Sequence, residues 1–404
     1  MRRLRSILLM AAASLPLCGQ AIAADTIQTL VTSYQPTITE TTDAAGFRHP
    51  GVGLTRDMLE NVRTQVLAQQ EPWNTHFNAM LLSANASKTV PSSNASGSDP
   101  TKPGTTAFNS QGVESKFIAD AQRSYTQAIL YYITGDETYR ANAMRLIRIW
   151  SQMDPTKYAY YTDAHIHSGI PLSRMVAAAE IMRYTSCQTA ALQWTDQDTA
   201  MFTTNLITPV IETLQHKNSY FMNQHLYPLL GAMSGYIFTG NRDRYNEGVE
   251  WFTVNRTAVD QGQNGAIKAL FRLVDKNDLT GEAVTPMVQH VEMGRDQAHG
   301  GGDITNAGIL ARLLNGQGTK VDPVTGTAST ANNAVGPYEF LNDRILDAAD
   351  YFGRYMLGND TPWTRPPRTP TPTACLPSSI ASWRPAIGAA SAPAPGSRTT
   401  TTST

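Results

Sequence analysis

Three times in this chain an aromatic, apolar segment runs into glycine and then into Asp or Asn. The segments are Tyr132-Ile133-Thr134-Gly135-Asp136, Tyr236-Ile237-Phe238-Thr239-Gly240-Asn241 and, more faintly, Tyr355-Met356-Leu357-Gly358-Asn359-Asp360. Glycine tolerates the left-handed backbone that closes a helix, and an Asp or Asn side chain accepts from the free N–H groups that open the next one. The pattern therefore reads as a helix stop followed at once by a helix start, the mark of helical hairpins. Apolar spacing agrees. Ile118, Ala121, Tyr125, Ala128, Ile129 and Tyr132 recur at intervals of three and four, as do Tyr139, Ala143, Leu146, Ile147 and Trp150, which lays each set along one helix face. Further faces follow at Met175, Ala178, Ala179 and Met182, and at Leu226, Leu229, Leu230, Met233 and Ile237, whereas strand-like alternation is scarce. The fold class expected is all-α, an array of hairpins whose echoes lie about a hundred residues apart, with several hairpins between them. Set in a ring or arc, hairpins leave a concave face lined by helix ends and loops, a shape that suits a long polymer. Tyr125, Tyr132 and Tyr236 are expected in the core.

The two ends of the chain differ from this middle. Residues 1–24 combine Arg2, Arg3 and Arg5, an apolar run from Ile7 to Leu17, and Ala21-Ile22-Ala23, the pattern of a secretory signal with its cleavage site. The domain is accordingly expected to be periplasmic or secreted, with no membrane span, because no later run reaches the roughly 20 apolar residues that a spanning helix needs. Beyond that signal, which contains Cys18, only Cys187 and Cys375 carry thiols, so a disulfide framework is not expected. Residues 25–360 are assigned to one helical domain. Residues 361–404 contain no Asp or Glu and end in a run of Thr, a composition expected to stay disordered. The abrupt change after Asp360 also fits a frameshifted or truncated end. A net charge of −1 argues against nucleic acid as a partner, and an acidic ligand would need local positive groups.

Within the domain, the Thr-rich stretch Thr26 to Gly46 reads as an extended lead-in, and His49-Pro50-Gly51 as a turn. Thr55 is placed to cap a helix running through Met58, Val62, Val66 and Trp73. Ser83 to Phe108, rich in Ser, Asn, Gly and Pro, is a long loop, read either as a lid over a groove or as a mobile surface excursion.

Three polar stretches stand out against a chain that is only 16% charged. Val288 to Asp303 packs two histidines, acids, Arg295 and two glutamines ahead of Gly300, Gly301 and Gly302, with Asp303 as the expected cap of the helix carrying Ile309, Leu310 and Leu313. Tyr160 to Ser168 holds Asp163, His165 and His167, and Asn218 to Tyr227 holds Tyr220, Asn223, Gln224 and His225. Each falls at a predicted helix start or in the loop before one. On a ring of hairpins such loops line one rim.

Asn223-Gln224-His225-Leu226-Tyr227 followed by Glu292-Met293-Gly294-Arg295-Asp296-Gln297-Ala298-His299 resembles the alginate lyase-like polysaccharide lyases with an (α/α) toroid, an incomplete barrel of helical hairpins. The resemblance covers roughly His49 to Asp360. It implies β-elimination across the glycosidic bond of a uronate polymer of the alginate or glucuronan type, with no cofactor. The proton removed lies beside a carboxylate, so that carboxylate must be neutralised. Amides such as Asn223 or Gln224 and the charge of Arg295 suit this task. Histidine is the base whose ordinary pKa fits, with His225 the first choice and His299 the second. The resemblance adds a tyrosine acid, for which Tyr227 stands first and Tyr220, Tyr160 and Tyr161 are rivals. His167, His165, Gln297, Tyr220 and Glu292 are placed around the substrate. Where the family often has Asn directly before the histidine, this chain has Gln224.

Other readings remain open on the same residues. Asp163, His165 and His167, or His290, Glu292 and His299, are side chains that zinc accepts, but their spacings match no strong signature and no metal is expected. Glu292 and Asp296 fit better as partners that orient Arg295 than as catalytic acids. An inverting glycoside hydrolase would pair Glu292 or Asp296 with Asp163 or Glu180. A glycan-binding protein without turnover is the reading from a different class.

Overall fold

A computed structural model describes residues 27–277 and 280–359. The signal-like segment and the tail from 361 lie outside the described residues. Helix α1 (Arg56–Leu67) starts where Thr55 accepts from the Met58 N–H at 3.3 Å. It stops well short of the Trp73 that the apolar spacing includes. Gln69 adopts a positive φ of 54°, and Pro72 has no N–H with which to continue the ladder. A separate helix, α2 (Trp73–Leu81), follows.

The stop-and-start signals operate as the sequence implies. Between α3 (Gln111–Thr134) and α4 (Glu137–Trp150), Gly135 sits at φ 75° and Asp136 accepts from the Thr138 N–H at 2.8 Å. The next long helix is α5 (Ala164–Tyr184), followed by α6 (Asp196–Phe202), which continues as π-helical turns through Thr203–Ile207 and Ile211–Gln215. Between α7 (Leu226–Phe238) and α8 (Arg242–Thr253), Gly240 takes φ 69° and Asn241 accepts from the Arg244 N–H. Gly358 closes the last helix with φ 79°, while the Asp360 of that echo lies outside the described residues.

Helices α3, α5, α7 and α9 (Gln297–Gly316) lie side by side, and α4, the 196–215 segment and α8 return between them. The four run in the same direction. Near their N-termini, Glu114 of α3 meets His167 of α5, Gly169 of α5 abuts the Tyr227 carbonyl of α7, and the Tyr227 hydroxyl faces Gly302 of α9. The α5–α7 approach is so close that a Cβ on Gly169 would stand 1.9 Å from that carbonyl oxygen. This double layer of hairpins is the all-α, incomplete (α/α) toroid expected. Its core includes Phe117, Tyr131, Tyr132, Trp150, Phe202, Tyr245 and Phe252, all almost fully buried. Tyr236 is buried too, whereas Tyr125 is only half-buried.

At the opposite ends of these helices the extended lead-in runs across the array. The Thr32 N–H donates to the Thr134 carbonyl, Ile38 bridges to Thr185, Arg242 donates to the Ala45 carbonyl, and Gln317 exchanges hydrogen bonds with Arg48. The loop from Ser83 is neither lid nor free excursion. Asp120, fully buried on α3, accepts from Ser92, Ser93, Arg123 and Trp150, while Gln127, Asn142 and Arg145 donate to the carbonyls of Ser87, Lys88 and Val90. Satisfied backbone of that kind holds a loop in place.

Two features depart from the sequence reading. An antiparallel hairpin, β1 (Phe271–Lys276) with β2 (Ala283–His290), inserts before α9, pairing Phe271 with His290 and Arg272 with Gln289. And α9 begins earlier than expected. Asp296 caps it, accepting from the His299 N–H at 2.9 Å, so Asp303 lies inside the helix, fully buried, rather than at its start. The three glycines are helical as well. Their small size makes room: a Cβ on Gly300 would stand 2.9 Å from the Phe352 ring and 3.0 Å from His290, and one on Gly302 3.0 Å from the Tyr227 hydroxyl.

Candidate functional site

Because α3, α5, α7 and α9 start at one rim, the three polar stretches come together there. Met222–His225 forms a tight 3-10 turn leading directly into α7, and this turn packs against the first residues of α5, the turn Val291–Gly294 and α9. It is the hub of the site.

On the α5 side, the Tyr160 hydroxyl donates to His165 Nδ1 at 2.9 Å, and His165 Nε2 faces Gln224 Oε1 at 3.3 Å. An amide oxygen only accepts, so Nε2 carries the proton and Nδ1 receives the Tyr160 hydroxyl. The order of protons is thus directed: tyrosine to imidazole to amide. The Tyr220 ring lies flat on His165, centroids 4.0 Å apart, and the Lys217 ammonium sits 5.4 Å from the Tyr220 centroid. His165 is buried, and desolvation lowers its pKa, so it stays neutral. Tyr160 is 53% exposed. His167 turns away to Glu114, 3.0 Å from Nδ1.

On the α7 side, Asn223 is buried, but its amide makes no hydrogen bond among the described residues. His225 is sealed, 1% exposed. Its Nε2 donates to the Trp251 carbonyl at 2.9 Å, Nδ1 has no partner among the described residues, and burial pushes its pKa down to about 4. Tyr227 is half-buried, with its hydroxyl toward α9.

On the α9 side, Arg295 Nη1 stands 3.3 Å from Glu292, whose side chain is buried, while about half of the Arg295 side chain, 49%, faces solvent. His299 Nδ1 contacts Asp296 Oδ2 at 2.6 Å. A carboxylate there accepts a hydrogen bond from Nδ1–H, which leaves the Nε2 lone pair to act. Gln297 opens the helix and is exposed. Behind them, His290 and Asp303 are fully buried 3.4 Å apart, and none of the ring nitrogens or carboxyl oxygens has a hydrogen-bond partner among the described residues. Desolvation moves both toward neutrality: His290 falls to about 4, and Asp303 rises to about 8, helped by the nearby Glu292 charge.

Two of the alternative assignments meet the geometry directly. Glu180 cannot face Glu292 or Asp296 as the second carboxylate of a hydrolase. It lies 16 residues into α5 from Ala164, about 24 Å along the axis, where His49 and the Gly51 N–H each contact it at 3.0 Å. Among the described residues no group of three His, Cys, Asp or Glu side chains is arranged to hold a metal ion, and no helix is long and apolar enough to cross a membrane.

Several residues at this rim escaped the sequence reading. Lys217 supplies a cation where none was expected, and Glu114 fixes His167 from a helix read only for its apolar face. The cap of α9 at Asp296 was also missed, although Asp is among the residues favoured at that position.

No protein-family model matches the chain, and no curated protein matches it. In backbone it is similar to the crystal structure of an alginate lyase from Bacteroides ovatus, with a TM-score of 0.41 and 13% identity, over 77% of this chain and 93% of that one.

Proposed function

We propose that the chain is a polysaccharide lyase, periplasmic or secreted, that cleaves a uronate-containing glycan of the alginate or glucuronan type by β-elimination. The observation that carries this reading is the rim itself. Four parallel helices point their N-termini at one place, where the Met222–His225 turn joins Arg295, His299, Gln224 and the Tyr160–His165 pair. Helix N-termini carry partial positive charge, and with Arg295 and Lys217 they favour an anionic ligand although the chain's net charge is −1.

In the mechanism proposed, the open amide of Asn223 and the half-exposed Arg295 hold the sugar carboxylate, which acquires enolate character as the C5 proton leaves. His299, oriented by Asp296, takes that proton on Nε2. The C4–O bond then breaks, a double bond forms between C4 and C5, and the Tyr160 hydroxyl turns its proton from His165 Nδ1 to the leaving oxygen; water reprotonates Tyr160 and takes up the proton that His299 releases, so both residues return to their starting states. His165 orients that hydroxyl, and Gln224 fixes the His165 tautomer. His225 belongs to the packing behind the turn, and Tyr227 spaces α7 from α9. His167, Tyr220, Gln297 and Glu292 line or brace the groove.

The purified protein incubated with alginate, glucuronan and a neutral glucan tests the proposal. Ultraviolet absorbance should appear with a uronate polymer only and vanish in His299→Ala and Arg295→Ala. New reducing ends without absorbance would make the protein a hydrolase, and bound but intact polymer would make it a binding protein.

A further inference from the structure

Beside the rim lies a concavity of about 420 Å³, lined by Val254, Arg256, Gln261, Asn264, Lys268, Ala269 and Arg272. Its size falls in the ordinary range of ligand sites, about 300–1,000 Å³. Three of its lining side chains are cationic, and none is acidic. The loop that builds it is held rigidly. Asn264, buried, donates to the Val254 and Asn255 carbonyls, and Gln261 donates to those of Asn255, Arg256 and Ala258. Arg272 Nε donates to the Ala269 carbonyl, which anchors that guanidinium at the cleft wall. Arg256 leans on Glu250 at 3.2 Å, with Asp260 close by in the loop. Lys268 is exposed on the helical turn Ile267–Leu270 and makes no ion pair among the described residues.

The cleft adjoins the candidate site. Gly265, next to Asn264, lies so close to the Met222–His225 turn that a Cβ there would be 2.0 Å from the Met222 carbonyl oxygen and 2.7 Å from His225 Cβ. On its other side, Arg272 pairs across the hairpin with Gln289, three residues ahead of Glu292. Cationic groups therefore extend from Arg295 at the rim to Arg272, Lys268 and Arg256 beyond it.

The geometry points to this cleft as an anion subsite, which takes the carboxylate of a sugar flanking the bond to be broken and selects charged over neutral polymer. This deepens the proposed function and rests on it for the nature of the polymer. Lys268 carries the test because its side chain is exposed and packs no core.

Lys268→Glu is compared with Lys268→Arg, with wild type and with Lys102→Glu, an exposed control of equal charge change. Two readouts are taken: retardation in gels containing polyuronate or neutral glucan, and ultraviolet turnover of the polymer. Lys268→Glu should weaken polyuronate retention and raise KM about five-fold, the scale of one exposed charge contact. kcat should not change, Lys268→Arg should behave as wild type, and added salt should erase the difference. If wild type turns the polymer over and Lys268→Glu matches it in retention and KM, the subsite is wrong and the lyase reading stands. Retention without turnover that Lys268→Glu abolishes would sustain the subsite and remove the lyase. Equal loss in Lys102→Glu, or no retention of any polyuronate, would overturn the subsite.

Discussion

Asp303→Asn should make this protein more stable at neutral pH, and by an amount that depends on pH in a defined way. Asp303 is fully buried beside His290, and burial raises its pKa from 3.8 to about 8. At pH 7 it keeps its proton when folded and gives it up when unfolded. Holding a proton across those roughly three pH units costs about 4 kcal/mol, at about 1.4 kcal/mol per unit. Asn has nearly the same shape and no proton to hold, so the substitution removes that cost. Relaxation around the site brings the expected gain to about 2–4 kcal/mol at pH 7. The sign follows from linkage. A group whose pKa is raised on folding contributes its stability below the unfolded value, and that contribution is lost as pH rises through the folded value. The difference between variant and wild type should therefore be near its minimum below pH 4, grow by about 1.4 kcal/mol per pH unit, and level off above pH 8. Urea unfolding of both proteins at four pH values between 3.5 and 8.5 measures it. A gain that does not vary with pH, or a loss at pH 7, would refute the burial argument. An acid kept at such a cost beside Glu292 and Arg295 is the kind of group that sites retain for chemistry rather than for stability.

Four other substitutions probe neighbouring parts. His225→Ala removes a buried ring and its bond to the Trp251 carbonyl, and should lower unfolding free energy by about 2–4 kcal/mol; unchanged stability in urea would show that the ring is not packed as described. Tyr160→Phe should cut kcat on a uronate polymer by about 10²-fold or more, with little change in KM; full turnover removes Tyr160 from the reaction. Within α9, Gly300→Ala must press against Phe352 and His290, whereas Gly308→Ala meets nothing within 4 Å. The first should destabilise by about 1–3 kcal/mol and the second stabilise by up to about 1 kcal/mol, and thermal melts showing the same sign for both would contradict the close contact at Gly300.

Helix ends were the most readable part of the sequence, because a left-handed glycine followed by an Asx cap is a local signal that needs no tertiary partner. Gly135 with Asp136 and Gly240 with Asn241 act as read. The β1–β2 hairpin escaped because adjacent apolar residues, Leu273-Val274 and Met287-Val288, break the alternation that marks a strand, and Leu273 is exposed. At Val288 to Asp303 a local signal misled: glycines ordinarily end helices, but here Phe352, His290 and Tyr227 require small residues inside one. No residue near Gly300 in the chain reveals Phe352, so that demand is invisible without the fold. The site shows the same division. Polar stretches at helix starts were legible, but their partners, Glu114 with His167 and Trp251 with His225, come from distant helices. A histidine reads alike in sequence whether it is sealed, as His225 is, or half-open, as His299 is.

The lead-in that crosses the far ends of the helices carries a consequence for how the chain reaches this state. Its bonds from Arg48 and Gly51 to Gln317 join positions 269 and 266 residues apart. Contacts of such separation form late, since the entropy of closing a long loop must be met before they contribute. During synthesis, the lead-in therefore waits for a helix made more than 260 residues later, and until α9 arrives its edge of the array stays unsealed. Whatever holds or sorts the half-made chain has that interval in which to act.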